Sequence, residues 1–389
     1  MDEAHIFIKM IKDTINDYII LPGRVPRLSL EEIRAMLRVS RLPISNLTLT
    51  SDIIRVKTPR VLDTEWFDAL GGAVKLGQVE AITSSNLASV LVALAKVLKK
   101  PGRTLGVSIL HSKLSPQKIG LGLKKLKLIH AFKLPARGAL ISAAQAKSCT
   151  EEVLILGEAQ SAVIILIQAN QDIDAFTKRD RALPRIDVKR GMLPPKLARI
   201  MVNLGRGLVS NQAQPFVLDP CVGAGRILIE ARLVGAQILG ADSDPQALQD
   251  TRANLSWLSK EYHLSLPGEY LIQARVEKLS EALSSQSVDL IITEPFLGAP
   301  RRSLPSLEEQ NRILTKLEPL FTNLLRAGQK ILKSQAGAVI VFPAFQTLSL
   351  LDRFIDKFSR FGYHMVDSFR VKRSNQIIGR DIVRLIYGT

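Results

Sequence analysis

Residues 215–244 read Pro-Phe-Val-Leu-Asp-Pro-Cys-Val-Gly-Ala-Gly-Arg-Ile-Leu-Ile-Glu-Ala-Arg-Leu-Val-Gly-Ala-Gln-Ile-Leu-Gly-Ala-Asp-Ser-Asp, and no other stretch limits the fold so narrowly. Phe216 to Leu218 is a short apolar run stopped by Asp219-Pro220. Gly223 and Gly225 permit a tight turn and close backbone approach. The apolar residues from Ile227 to Val234 predict a helix, and Gly235 stands where a helix C-terminal glycine is expected. Gln237 to Gly240 predicts a second strand, with Asp242 just past its end. Strand, glycine turn, helix and strand make the first half-unit of a doubly wound α/β fold. Such folds bind nucleotides at the carboxyl ends of their strands.

The residues also narrow the ligand. A dinucleotide fingerprint needs a third glycine three residues after the second, and Leu228 stands there. No Gly-Lys-Ser/Thr follows the turn, which excludes a P-loop. A carboxylate at Asp219 repels a pyrophosphate and suits a cation, such as the ammonium and sulfonium of S-adenosylmethionine. Asp242 is placed to accept hydrogen bonds from two ribose hydroxyls. The residues are read as an S-adenosylmethionine site on Asp219, Gly223, Gly225 and Asp242, against the plainer alternative of a βαβ unit with a glycine turn.

A chain of 389 residues, 46% apolar, predicts two or three domains with buried cores. The net charge of +17 favours a polyanionic partner, nucleic acid or an anionic membrane surface. Two cysteines, Cys149 and Cys221, cannot build a disulfide framework or a zinc site, so no metal is expected. The chain opens with Asp2 and Glu3 and shows no basic, signal-like start. The apolar region 153–169 is interrupted by Glu158 and is too short to span a membrane. A soluble, cytoplasmic protein with no membrane association is the expectation.

Tyr18 to Leu21 predicts a strand. Ser29 with Glu32 reads as a capping box for a helix whose apolar face is Leu30, Ile33 and Leu37. Residues 81–150 hold twelve Lys or Arg and no Asp or Glu. A block of one sign cannot pair internally, so it needs phosphate or solvent, and binding should weaken steeply with salt. Lys99, Lys100, Arg103, Lys124, Lys125 and Lys127 are the candidate RNA contacts. Phe132 is the one aromatic there, which favours shape or backbone reading of folded RNA over base stacking. Val153–Leu156 and Ala162–Gln168 predict two paired strands. Residues 172–190, rich in Arg and Lys and broken by Pro184, read as a connector, and Pro194-Pro195 as a helix start.

Two runs, Arg-Asp-Arg-Ala-Leu-Pro-Arg through Gly-Met-Leu-Pro-Pro-Lys-Leu-Ala and then Leu-Asp-Pro-Cys-Val-Gly-Ala-Gly-Arg-Ile-Leu-Ile-Glu-Ala, give the chain a family likeness. It resembles the THUMP-domain tRNA guanine-N2-methyltransferases of archaeal and eukaryotic type. The resemblance implies an α+β ferredoxin-like domain (1–80), a THUMP-like RNA-binding domain (81–171), a linker (172–190) and a class I Rossmann-like methyltransferase domain (191–389). Ala139 to Ala146 looks like the corresponding THUMP segment. tRNA and S-adenosylmethionine are the partner and cofactor implied; nothing in the sequence identifies an accessory subunit.

In the catalytic half, Val288 to Thr293 predicts a buried strand ending in Glu294-Pro295-Phe296-Leu297-Gly298. The family pattern here is Asp-Pro-Pro-Tyr. An exocyclic base amine is a poor nucleophile, because its lone pair is delocalised into the ring. A carboxylate and a backbone carbonyl at the strand end orient it by accepting its N–H groups. A following aromatic stacks on a base taken out of its helix. Glu294, Pro295 and Phe296 are therefore the catalytic candidates, with Glu for Asp and the aromatic one place earlier than in the family. Gln273 and Arg275 are the nearest candidates for the adenine contact. Ser306 with Glu309 predicts a second capping box, on a helix that Pro319 interrupts. The alternatives are an RNA-binding protein that keeps the fold with little or no turnover, and an amino-methyltransferase acting on another base.

Overall fold

Period-two alternation of apolar side chains builds the first half of the chain. In the computed structural model, residues 15–98, 102–186, 192–209, 211, 214–266, 268, 270–373 and 376–388 are described. They divide into two compact units, one of residues 1–26, 42–68 and 73–173, the other of 27–41, 69–72 and 174–389. In chain order the first elements are β1 (Asn16–Pro22), α1 (Pro26–Val39), β2 (Asn46–Thr50), β3 (Ile53–Thr58), β4 (Ala73–Ser84), α2 (Leu87–Val97), β5 (Arg103–Leu110), α3 (Pro116–Lys125), β6 (Ile129–Lys133), β7 (Glu151–Glu158) and β8 (Ser161–Asn170).

The eight strands form one sheet in the order β2-β3-β1-β4-β8-β7-β5-β6. Successive side chains of a strand point to opposite faces. Val153, Ile155, Ala162 and Ile164 accordingly join Val90, Leu94, Ile119 and Leu123 of α2 and α3 in one core. Leu154, Leu156, Val163 and Ile165 turn to the other face with Ile19, Leu21 and Ile53. The two strands expected at 153–168 are thus the paired β7 and β8. Residue 80, expected as a domain boundary, lies inside β4, which is hydrogen-bonded to β1 and β8.

Helix α1 belongs to the second unit. It starts at Pro26, so Ser29 and Glu32 lie within the helix and form no capping box. Both are buried, and both hold the 69–72 turn. Ser29 Oγ donates to Gly72 O at 2.7 Å, and Glu32 accepts the N–H groups of Gly71 and Gly72, each at 2.7 Å.

The second unit continues with α4 (Ile173–Arg181), α5 (Pro195–Leu208), β9 (Phe216–Asp219), α6 (Arg226–Leu233), β10 (Gln237–Asp242), α7 (Pro245–Tyr262), β11 (Leu271–Gln273), β12 (Val288–Thr293), α8 (Leu307–Ile331), β13 (Leu332–Ala344), β14 (Tyr363–Val371) and β15 (Gly379–Tyr387). The sheet order is β11-β10-β9-β12-β13-β15-β14. The first five strands are parallel, while β15 runs antiparallel to β13 and β14. The chain leaves β9 toward β10 and β11, then returns to lay β12 on the other side of β9. That reversal is the topological switch point at which such sheets bind ligands.

Three sequence expectations change here. Residues 172–190, read as a connector, begin with helix α4, whose Arg179 is held by Glu230 of α6 through a 2.8 Å hydrogen bond from Nε; residues 187–190 lie outside the described residues. Helix α8 runs unbroken for 25 residues through Pro319. A proline removes one backbone donor, and the buried Leu314, Leu317, Phe321, Leu324 and Leu325 hold the helix on either side of it. Ser306 caps α8 by accepting the Glu309 N–H at 3.2 Å, but the Glu309 carboxylate turns to Arg301 and Arg312. No helix among the described residues is long and apolar enough to cross a membrane.

Candidate active site

The carboxyl ends of three adjacent strands converge on one cavity. Asp219 ends β9, Asp242 ends β10, and Glu294 follows β12 directly. Neighbouring strands lie about 4.8 Å apart, and the register sets Gly240 beside Asp219 and Ile291 beside Leu218. The three carboxylates therefore share one rim without being close in sequence. The cavity has a volume of about 490 Å³, and Asp219, Gly223, Asp242, Glu294, Pro295 and Phe296 all line it. Small-molecule sites commonly measure roughly 300–1,000 Å³.

Asp219 is the most buried of the three, with 2% of its surface exposed. Thr293 Oγ1 donates to its Oδ1 at 2.7 Å, and the Cys221 N–H does so at 3.2 Å. Burial pushes its carboxyl up to about 7, and the negative charges of Asp242 and Glu294 add to that, while the two hydrogen bonds oppose it. Burial also pushes the neighbouring Cys221 thiol up.

Asp242 is held by backbone. It accepts the Gly223 N–H at 3.0 Å through Oδ2 and the Asp244 N–H at 3.0 Å through Oδ1. Each carboxylate oxygen keeps further acceptor capacity for a hydroxyl. Asp244 caps α7, accepting the Gln246 N–H at 2.9 Å beside Pro245 at the first helical position.

The two glycines serve different ends. Gly223 has φ +52, and a Cβ built there meets nothing within 4 Å, so the turn leaves cavity space open. Gly225 does not line the cavity. It precedes α6 with φ +80, and a Cβ there would approach Thr251 Cγ2 to 2.8 Å. Its requirement comes from α7 packing behind the turn. Thr251 Oγ1 also donates to Gly223 O at 2.7 Å, and Asn254 Nδ2 donates to Ala224 O and Arg185 O, each at 2.9 Å. Sequence reasoning missed Thr251 and Asn254, because polar residues on a helix carry no signal of what they face.

Five carboxylates line the cavity, Asp219, Asp242, Asp244, Glu277 and Glu294, against the guanidiniums of Arg226, Arg275 and Arg380. Each guanidinium is already engaged. Arg226 donates to Arg179 O, Arg275 Nε lies 3.6 Å from Glu277 Oε2, and Arg380 holds Glu294. The site is thus anionic and fits a cationic ligand, not a pyrophosphate. Of the two residues expected near an adenine, Arg275 lines the cavity and Gln273 does not.

At the mouth, Phe296 is 53% exposed although it is large and apolar. Glu294 accepts from Arg380 Nε at 2.5 Å and from Nη2 at 3.1 Å. No group of His, Cys, Asp or Glu able to hold a metal ion occurs among the described residues.

In the first unit, Lys124 and Lys125 at the end of α3 and Lys127 just beyond it are exposed. Arg103 differs from its expected role, because it pairs with Glu151 of the neighbouring β7. That acid lies just outside the block of one sign, and strand pairing brings it in. Lys99 and Lys100 lie outside the described residues.

The profile of RMKL-like methyltransferase domains matches residues 184–376. The tRNA (guanine(10)-N2)-dimethyltransferase of Methanothermobacter thermautotrophicus is 34% identical over 140 residues, which is 36% of this chain and 37% of that protein. The match therefore spans well under two thirds of that relative's length. A probable tRNA (guanine(10)-N2)-dimethyltransferase of Methanothermococcus thermolithotrophicus is 30% identical over 120 residues, 29% of this chain and 67% of that sequence. Among solved structures, TrmN from Thermus thermophilus is 18% identical with a TM-score of 0.57, over 95% of this chain and 99% of that one, a likeness of fold.

Proposed function

We propose, from the premise that this chain belongs to the tRNA (guanine-N2)-methyltransferase family, that it methylates the exocyclic N2 of a guanine in tRNA with S-adenosylmethionine as donor. The observation that carries the reading is the convergence of Asp219, Asp242 and Glu294 at adjacent strand ends around one anionic cavity. The cofactor would supply an electrophilic methyl group on a sulfonium. Asp219, Asp242 and the Gly223 turn would hold it, in a site whose charge and open glycine face match a cationic nucleoside.

Chemistry at the base falls to the residues after β12. Glu294 and the Pro295 carbonyl accept the two N–H bonds of the amine, which fixes its direction and relieves the charge that builds on nitrogen as it is alkylated. Exposed Phe296 offers a face on which an everted base can stack. On methylation the amine would give up one proton, along the hydrogen bond that Glu294 would accept from it. The exposed lysines of the first unit would grip the tRNA backbone, in keeping with the THUMP-like reading of that half. Guanine 10 is the position named for both relatives and is the first to test.

A second reading, an RNA-binding protein without turnover, is favoured by one feature: Arg380 engages both Glu294 oxygens. Methyl transfer from labelled S-adenosylmethionine to unmodified tRNA, with nucleoside analysis of the product, decides between them. N2-methylguanosine is the expected product. Cofactor binding without transfer to any tRNA favours the second reading. Glu294→Ala is expected to abolish transfer while leaving cofactor affinity within about threefold, since its contacts belong to the base; equal loss of both refutes this division of roles.

A further inference from the structure

The Glu294 carboxylate is not free at the end of its strand. Arg380, the second residue of β15, donates to Oε2 from Nε at 2.5 Å and to Oε1 from Nη2 at 3.1 Å. The two side chains are only 10% and 13% exposed, so the pair is shielded from water and from screening salt. A fork-to-fork pair of this kind fixes direction as well as charge. Asp381, next in sequence, does not compete for Arg380. It accepts from Arg370 at 2.7 and 2.6 Å and from Ser349 Oγ at 2.5 Å.

Topology explains why the arginine comes from so far along the chain. Thr293 is level with Ile340 of β13, whereas Arg380 is level with Pro343, three residues further out. β13 therefore carries the start of β15 past the end of β12, above the cavity that Arg380 also lines. One strand separates the two residues, so both side chains must be long. An aspartate at 294 loses one methylene, roughly 1.5 Å of reach, and cannot make the same two-bonded contact without movement. The glutamate that departs from the family pattern and the arginine opposite it thus form one device.

Each carboxylate oxygen can accept two hydrogen bonds. Arg380 takes one from each oxygen and leaves one on each for other donors. We propose that Arg380 is a positioning residue: it locks the Glu294 carboxylate in the orientation that receives one N–H of the target amine, the other going to the Pro295 carbonyl. This rests on the reading of Glu294 given above. The pair does not silence the site; it aims it.

The test uses the full chain and five variants: Arg380→Gln, Arg380→Lys, Glu294→Asp, Glu294→Gln, and Glu294→Gln combined with Arg380→Gln. The measurements are single-turnover methyl transfer to unmodified tRNA, tRNA KM, and S-adenosylhomocysteine binding by calorimetry. Arg380→Gln is expected to slow transfer at least about 100-fold, the scale of an ångström-sized misplacement, with KM and cofactor affinity within about threefold. Glu294→Asp should lose as much, although it restores the family's residue. Arg380→Lys should recover part of the rate, because it keeps the charge and one donor. The double variant should be no slower than its worse parent, because the two residues act as a unit. Wild-type rates in Arg380→Gln, or additive losses in the double variant, overturn the proposal, as does a parallel collapse of cofactor binding. A wild-type chain that transfers to no tRNA overturns the functional reading itself, which is a different result from an active wild type with an indifferent Arg380.

Discussion

Asp219, buried between Thr293 and the Cys221 amide, has a carboxyl raised from 3.8 to about 7. A carboxyl raised on folding contributes stability that is complete below its unfolded value and is lost as pH rises through the folded one. For Asp219 that window runs from about pH 4 to pH 7, and its size is on the order of 4 kcal/mol. A cation in the cavity reverses the preference, because it favours the ionised carboxylate. S-adenosylmethionine affinity is therefore expected to rise by up to about tenfold per pH unit between pH 5 and 7, with proton uptake by buffer, and to level off above. Calorimetry in buffers of different ionisation enthalpy checks this, and Asp219→Asn should flatten the profile. Sequence placed Asp219, Asp242 and Glu294 correctly at strand ends, since turn residues after apolar runs are local signals. It could not reveal Thr293 and Cys221 around Asp219, nor Arg380 on Glu294, because those contacts join positions that only the sheet brings together.

At the scale of elements, the paired strands β7 and β8 were legible, and so was the proline start of α5. The Ser29–Glu32 pair shows the limit. Its spacing fits a capping box, yet the helix begins three residues earlier and both side chains are buried against Gly71 and Gly72. A spacing rule cannot tell a cap from a tertiary clasp, since both set the same two polar side chains against backbone groups. Strand β4 carries a comparable hidden bond. Lys75 is 2% exposed and donates to Glu152 of β7 at 2.8 Å, with Asn170 completing the cluster. Lys75→Met leaves the Glu152 carboxylate buried and unpaired, and a loss of about 3–5 kcal/mol is expected. Urea unfolding followed by hydrogen exchange in β4, β7 and β8 measures it, and a Lys75→Met/Glu152→Met double variant should recover much of the loss. A silent Lys75→Met variant would show the pair to be dispensable.

For the whole molecule, net charge and its clustering make a prediction about RNA. If Lys124, Lys125 and Lys127 meet phosphates, replacing all three with alanine should weaken tRNA binding and lower the slope of log affinity against log salt by about 2 to 3. Filter binding at graded salt reads that slope. Arg103→Ala should change it less, because Glu151 already holds that guanidinium; an unchanged slope in the triple variant removes these lysines from the interface. By itself, then, the sequence determined what local chemistry can encode: the strand–turn–helix unit at 215–244, the cationic preference of its carboxylates, the buried strand before Glu294, and the one-signed basic block. Only the tertiary structure decided that one eight-stranded sheet runs through residue 80, that α1 belongs to the second unit, that Gly225 answers to Thr251, and that Arg380 aims Glu294. The division has a physical cause. Turns, caps and periodicity are set by neighbours in the chain. The partner of a charged side chain is set by strand order and register, which are decided when the whole sheet assembles.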